Sequence, residues 1–231
     1  MSPLALVRAD GLYASGKVEA ATSLYDAIGE RGLRERDRIK ALERCAQIWW
    51  VEIKQPQEAS ARLTALLRMQ LGEPKRYAAL RMLAQVQQQL GRDEEAARSL
   101  LLAAKQSCCA TGVTELGLAL SASERAENEP LARKIVSKLS EIDGFEAIFL
   151  RARHELSQDR ADVALELFDH ARLVALDESQ QKLADVGAIS ALERLGRIEE
   201  ALVGIAEREL APGFEQGREK GMLKRQQKAR W

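Results

Sequence analysis

The chain has 231 residues, 46% of them hydrophobic but only 4% aromatic, with 5 prolines. Ala, Leu, Glu, Gln and Arg dominate, a make-up of good helix formers that argues against a sheet protein. Lys+Arg and Asp+Glu both number 35, so the chain as a whole has no attraction for polyanions. No run approaches the roughly 18 apolar residues of a membrane-crossing helix.

Charge is nevertheless uneven, because residues 211–231 carry six basic against two acidic side chains, a net of +4, and the other 210 residues carry −4. The three cysteines, Cys45, Cys108 and Cys109, are odd in number with two adjacent, which fits a reducing cytoplasmic setting better than a disulfide scaffold. The first ten residues lack the basic start and long apolar core of a secretory signal.

One seam recurs along the chain: Gly16-Lys17-Val18-Glu19-Ala20-Ala21, Gly91-Arg92-Asp93-Glu94-Glu95-Ala96 and Gly196-Arg197-Ile198-Glu199-Glu200-Ala201. Weaker copies end at Ala59, Ala132 and Ala164, so small anchors fall at 21, 59, 96, 132, 164 and 201, at intervals of 38, 37, 36, 32 and 37. A period of this size predicts stacked helical hairpins. In the first, Ala20, Ala21, Leu24, Tyr25 and Ile28 recur at helical spacing and Gly32 supplies the stop. In the second, Pro56 sits in the first turn of the new helix, where its missing N–H is harmless. The third runs from Pro74 to about Gln106, with Tyr77, Leu80, Leu83, Ala84 and Leu90 before the Gly91 hinge and Ala96, Leu100 and Ala103 after it.

The fourth hairpin is the least regular, with a short helix over 112–124 and Asn128-Glu129-Pro130 reading as the cap of the next. The fifth pairs Ile148, Leu150, Ala152 and Leu156 with Ala164, Leu167, Phe168 and Ala171, with Asp159 as the expected cap between them. The sixth has Leu183, Val186, Ile189 and Leu192, then Ala201, Leu202 and Ile205, before Pro212-Gly213 breaks the chain. Residues 214–231 read as a thin amphipathic capping helix that ends in a basic tail.

The chemical inventory points away from catalysis. His154 and His170 have no nearby cysteine to complete a metal set and read as surface or partly packed histidines. Cys108-Cys109 lacks the Cys-x-x-Cys spacing of a redox or zinc site; one of the pair is expected to pack and the other to face a groove. Glu94-Glu95 and Glu199-Glu200 begin helices, where carboxylates favour the positive end of the dipole. No Gly-rich run precedes Lys-Ser or Lys-Thr, so no phosphate loop is expected. No enzyme activity, metal or cofactor is expected.

These residues resemble the tetratricopeptide-repeat family. Its small, Gly, Ala, large and Ala positions correspond to Ala84, Gly91, Ala96, Leu100 and Ala103 in the third repeat, and to Ala152, Asp159, Ala164, Phe168 and Ala171 in the fifth. The first repeat supplies Ala9, Gly16, Ala21, Tyr25 and Ile28. Most intervals exceed the family's 34 residues and its usual proline at position 32 is missing. The resemblance implies an all-α, right-handed superhelical solenoid of about six antiparallel hairpins over residues 1–213, with 214–231 as a basic C-terminal helix or tail. It further implies that repeat positions 5 and 9 of the first helices face a partner protein or peptide.

Those positions carry Arg44 and Ile48, Arg81 and Gln85, Gly117 and Ser121, then Phe149 and Arg153, with Arg125 extending the surface. Arg44, Arg81, Gln85 and Arg153 would supply donors for a peptide backbone or carboxylate, while Ile48 and Phe149 would grip an apolar side chain. The alternative is that the polar members are merely solvated and the apolar ones packed. Trp50 is assigned to the hairpin core, which leaves Trp49 as an exposed anchor or, alternatively, as packing on a neighbouring helix. The expected role is a noncatalytic adaptor, scaffold or assembly factor in the cytoplasm. The alternative is a nucleic-acid or anionic-membrane binder that acts through the basic tail.

Overall fold

The structure, a computed structural model, describes residues 4–106 and 110–206. The expectations for Cys108, Cys109 and the capping segment 214–231 lie outside the described residues. Among these, all regular structure is helical: α1 (Ala5–Ala14), α2 (Val18–Arg31), α3 (Glu35–Gln47), α4 (Pro56–Leu67), α5 (Glu73–Gln89), α6 (Asp93–Gln106), α7 (Ala110–Arg125), α8 (Glu129–Ser140), α9 (Phe145–Ser157), α10 (Ala161–Val174), α11 (Glu178–Arg194) and α12 (Ile198–Ala206). A π-helical turn, Ile48–Glu52, follows α3 directly.

The six seams share one backbone device. Each contains a left-handed residue: Gly16 (φ 76°), Lys54 (58°), Gly91 (69°), Glu127 (51°), Asp159 (61°) and Gly196 (74°). Each of these stands five positions ahead of an anchor, and all six anchors, Ala21, Ala59, Ala96, Ala132, Ala164 and Ala201, are at most 1% exposed. The residue after the left-handed one serves both helices. In five seams its N–H donates to the carbonyl five residues back, from Lys17 to Leu12, Arg92 to Gln87, Asn128 to Ser123, Arg160 to Glu155 and Arg197 to Leu192, at 2.9–3.0 Å. In all six its own carbonyl accepts the anchor's N–H, at 2.9–3.3 Å, and so opens the next helix.

The exception explains itself. Gln55 N–H reaches back six residues, to Trp49 O at 2.8 Å, because the π-turn inserts one extra residue ahead of the seam. Asp159, expected as a cap, is instead the left-handed residue, and Arg160 takes the N-cap position of α10. Asn128 does cap α8, its side-chain oxygen accepting from Leu131 N–H at 3.0 Å.

The chain divides into two compact units, Met1–Lys138 and Leu139–Trp231. In the first unit each helix from α1 to α7 packs on the next. Its core is a series of clusters rather than a centre. Ala9, Ala21, Tyr25, Ile28, Ala41 and Cys45 join α1, α2 and α3, while Leu42, Ala46, Ala59, Leu63, Leu66, Ala79 and Leu83 join α3, α4 and α5. In the second unit α9, α10, α11 and α12 pack in the same sequential way, around Ala152, Ala164, Phe168, Ala188 and Ala191. There the backbone of Gly187 lies so close to the Phe168 ring that a Cβ would collide with it.

The turn device is directly testable. A Cβ on Gly91 meets no atom within 4 Å, so Gly91→Ala costs backbone energy alone and should lower stability by about 1 kcal/mol. Glu127 already carries that penalty, and Glu127→Gly should raise stability by about 0.5–1 kcal/mol. Opposite shifts in urea midpoints at constant slope are the expected result.

Candidate interaction surface

Repeat position 8 of the first helices is buried, seven residues before the left-handed turn, at Ala9, Ala84, Leu120, Ala152 and Ile189. In the second repeat the π-turn moves this position one residue upstream, to Ala46. Positions 5 and 9 therefore shift from Arg44 and Ile48 to Glu43 and Gln47. Ile48 is 3% exposed within the core that joins α1, α2 and α3, which corrects its assignment as a grip for a partner. Arg44 stays exposed beside Tyr13 and Tyr25, near enough for its charge to act on both phenols.

Both tryptophans are half-buried and packed. Trp49 is half-buried between the two core clusters of the first unit, its Nε1 enclosed without a hydrogen bond of ordinary geometry. Trp50 packs on one cluster only and donates from Nε1 to Gln89 Oε1 at 2.7 Å. Trp49 is thus packed rather than an exposed anchor.

Arg81 projects from α5 and is 39% exposed at the side chain, with exposed Gln85 one turn on. Behind it Glu115 of α7 is wholly buried. Its Oε1 accepts from Tyr77 OH at 2.8 Å and lies 3.4 Å from Arg81 Nε, while Oε2 is enclosed without a partner. The Arg81 guanidinium also lies 6.0 Å from the Tyr77 ring centroid. Arg81 Nη1 donates to Tyr77 OH at 3.4 Å, so a buried carboxylate and a phenol hold a guanidinium that stays partly exposed. Arg125 is exposed but committed, its Nε and Nη2 both donating to Asp93 Oδ1, at 3.0 and 2.8 Å.

In the second unit Phe149 is not a free apolar grip. It stacks on Phe145 at 5.4 Å between ring centroids and meets Phe168 edge-on at 5.6 Å, half-buried. Arg153, one turn on, is exposed. His154 is 1% exposed, a core residue where a surface or partly packed one was expected, and His170 is exposed.

A polar lock in the first unit went unread in the sequence. Arg62 of α4 donates from Nε and Nη2 to the two oxygens of Asp26 on α2, at 2.9 and 2.8 Å, and from Nη1 to Glu58. Its guanidinium lies 5.6 Å from the Trp49 ring centroid, and the Cys45 thiol donates to Asp26 Oδ1 at 3.2 Å. Burial alone would raise the Asp26 carboxyl, but hydrogen bonds from Arg62 and Cys45, the Arg62 charge and the Trp49 indole outweigh it and hold the carboxyl below its ordinary range. Burial first, then the bond and charge of Asp26, push the Cys45 thiol up to about 12.

This lock spans 36 residues, and other side-chain links span 38 (Tyr77 to Glu115) and 39 (Trp50 to Gln89), each close to one repeat. The period itself was the signal that could have found them. Among the described residues no group of three or more His, Cys, Asp or Glu could hold a metal ion, and no helix is long and apolar enough to cross a membrane.

No family model and no curated protein matches the chain. Among solved structures, an assembly chaperone of RpL4 (Acl4, residues 1–338) is similar at 18% identity, over 91% of this chain and 92% of that one, with a TM-score of 0.45. The nearly identical TPR-like repeats of a kinesin light chain from Podospora anserina are also 18% identical, over 88% and 90%, with a TM-score of 0.33.

Two outcomes are expected of these side chains. Cys45 should resist alkylation in the folded protein at pH 8. Its contribution to stability is whole below the ordinary thiol value of 9.0 and is lost as pH rises towards about 12, so Cys45→Ala should flatten the alkaline limb of a stability profile. Arg81→Gln strips the charge from beside buried Glu115 and should cost about 1–3 kcal/mol; adding Glu115→Gln should recover part of it, a non-additivity readable in a double-mutant cycle.

Proposed function

We propose that the protein is a noncatalytic, repeat-built interaction module, an adaptor, scaffold or assembly factor that engages a protein or peptide partner through the exposed polar positions of its first helices. The observation that carries this reading is the backed guanidinium of Arg81. A charged side chain held by a buried acid and a phenol, yet partly exposed, is suited to receive a carboxylate or backbone carbonyl at little ordering cost. Exposed Gln85 and Gln47, and Arg153 in the second unit, extend the same chemistry. The six-hairpin count, a capping role for residues 214–231 and a cytoplasmic location belong to this proposal. The location is supported by the odd cysteine count and the buried free Cys45.

The test is affinity capture from native lysate with the full chain as bait, beside a Gln85→Glu/Arg153→Glu variant. Both positions are exposed, so helicity should be unchanged while a specifically retained protein is lost by tenfold or more. Retention by the folded variant equal to that of the original chain would refute the assigned surface. The +4 of residues 211–231 motivates a second reading as a polyanion binder. RNA or acidic-vesicle binding that is steeply salt-dependent and vanishes when 223–231 are removed would favour it.

A further inference from the structure

We infer that two helix faces of this chain are complementary and that copies of it associate, α3 of one copy against α10 of another. On α3, Arg36, Lys40 and Arg44 recur at i, i+4 and i+8, all exposed, with Leu33 at 81% exposure just before the helix. Two of the three carboxylates of that helix are engaged elsewhere, and the third, Asp37, is half-buried beside Arg36. Glu43 pairs with Lys75 at 2.9 Å, and Glu35 accepts from Gln70 N–H at 3.3 Å. On α10, Asp162, Glu166 and Asp169 recur at i, i+4 and i+7, all exposed, followed by Leu173 at 84% exposure. The neighbouring cations are turned aside, Arg172 to Asp185 at 3.5 Å and Arg160 to Glu155.

The two rows match in order and in length. At about 1.5 Å per residue, Arg36 to Arg44 spans about 12 Å and Asp162 to Asp169 about 10 Å. Laid antiparallel, Leu33 meets Leu173, and then Arg36, Lys40 and Arg44 meet Asp169, Glu166 and Asp162 in turn. The surrounding charge favours the same pairing. Residues 1–138 carry 21 basic against 17 acidic side chains, a net of +4, and residues 139–213 carry 8 against 16, a net of −8.

The zero overall charge thus conceals basic stretches over 1–138 and 214–231 and an acidic one over 139–213, and a second copy offers the acidic row of α10 the basic row of α3. Each contact uses one row of either kind, so two copies can either exchange both contacts or leave one row of each kind open to a further copy. Exposed ion pairs are individually weak, so the association is concentration-dependent and reversed by salt.

Sedimentation of the full chain at about 20 mM and about 500 mM salt tests this. The mass should rise with protein concentration at low salt and return to 25.6 kDa at high salt. Arg36→Glu/Lys40→Glu/Arg44→Glu and Asp162→Lys/Glu166→Lys/Asp169→Lys should each be monomeric at low salt. An equimolar mixture of the two variants should associate again, since each presents the row the other needs, and so should a chain carrying all six changes. A mass that stays at 25.6 kDa for the original chain up to about 1 mM protein at low salt, or association of either triple variant like the original, would overturn the inference, as would folded variants that remain monomeric when mixed. Gln85→Glu/Arg153→Glu, which tests the adaptor surface, should leave this association unchanged, so the two readings fail separately.

Discussion

Everything in this fold hangs on one turn: a residue in the left-handed region followed by a residue that closes one helix with its N–H and opens the next with its carbonyl. The geometry fixes the count between two buried positions, one seven residues before the turn and one five after it, in five of the six seams, and the π-turn lengthens the first interval to eight in the second. Glycine occupies the turn at 16, 91 and 196, where its lack of a Cβ removes the penalty. Lys54, Glu127 and Asp159 accept the same conformation at some energetic loss, which implies that the packing on either side is strong enough to impose it.

Burial of the anchors explains how that imposition works. An alanine at 0–1% exposure permits helix backbones to approach closely, and each approach is backed by a local apolar cluster rather than by a distant core. Among the described residues, two sets of charged groups enter this interior, one satisfied and one partly satisfied. Asp26 holds Arg62 and Cys45 across three successive helices, and Glu115 holds Tyr77 and Arg81 across two. Such links tie each repeat to its neighbour with directional bonds that apolar contact cannot supply.

The helices, the anchors and their spacing were legible because they depend on periodicity, and periodicity survives in a single sequence. What was not legible depends on register. The interval from Gly16 to Lys54 is 38, the longest of the five, but nothing in Ile48-Trp49-Trp50-Val51-Glu52 says whether the extra residue lies in the helix or in the loop. That one ambiguity exchanged Ile48 for Gln47 and left open whether Trp49 is packed or exposed. Phe149 was misplaced for a different reason: an apolar stripe gives the direction of a side chain but not the depth of the layer that covers it, and here Phe168 of α10 meets the Phe149 ring edge-on. His154 is buried on the side of α9 away from Ala152 and Leu156 of that stripe.

The π-helical turn has a consequence for how such a chain can change over time. An insertion in a loop lengthens a connection and leaves every helical face where it was. An insertion absorbed inside a helix instead rotates all that precedes it by about 100° relative to the seam, while the seam and the second helix keep their frame. The Ile48–Glu52 bulge is therefore a phase shifter: it re-aims α3, and with it the arginine and lysine row on its outer face, without disturbing the joint on which stacking depends. Recognition and architecture are decoupled at that point by the geometry of a single added residue.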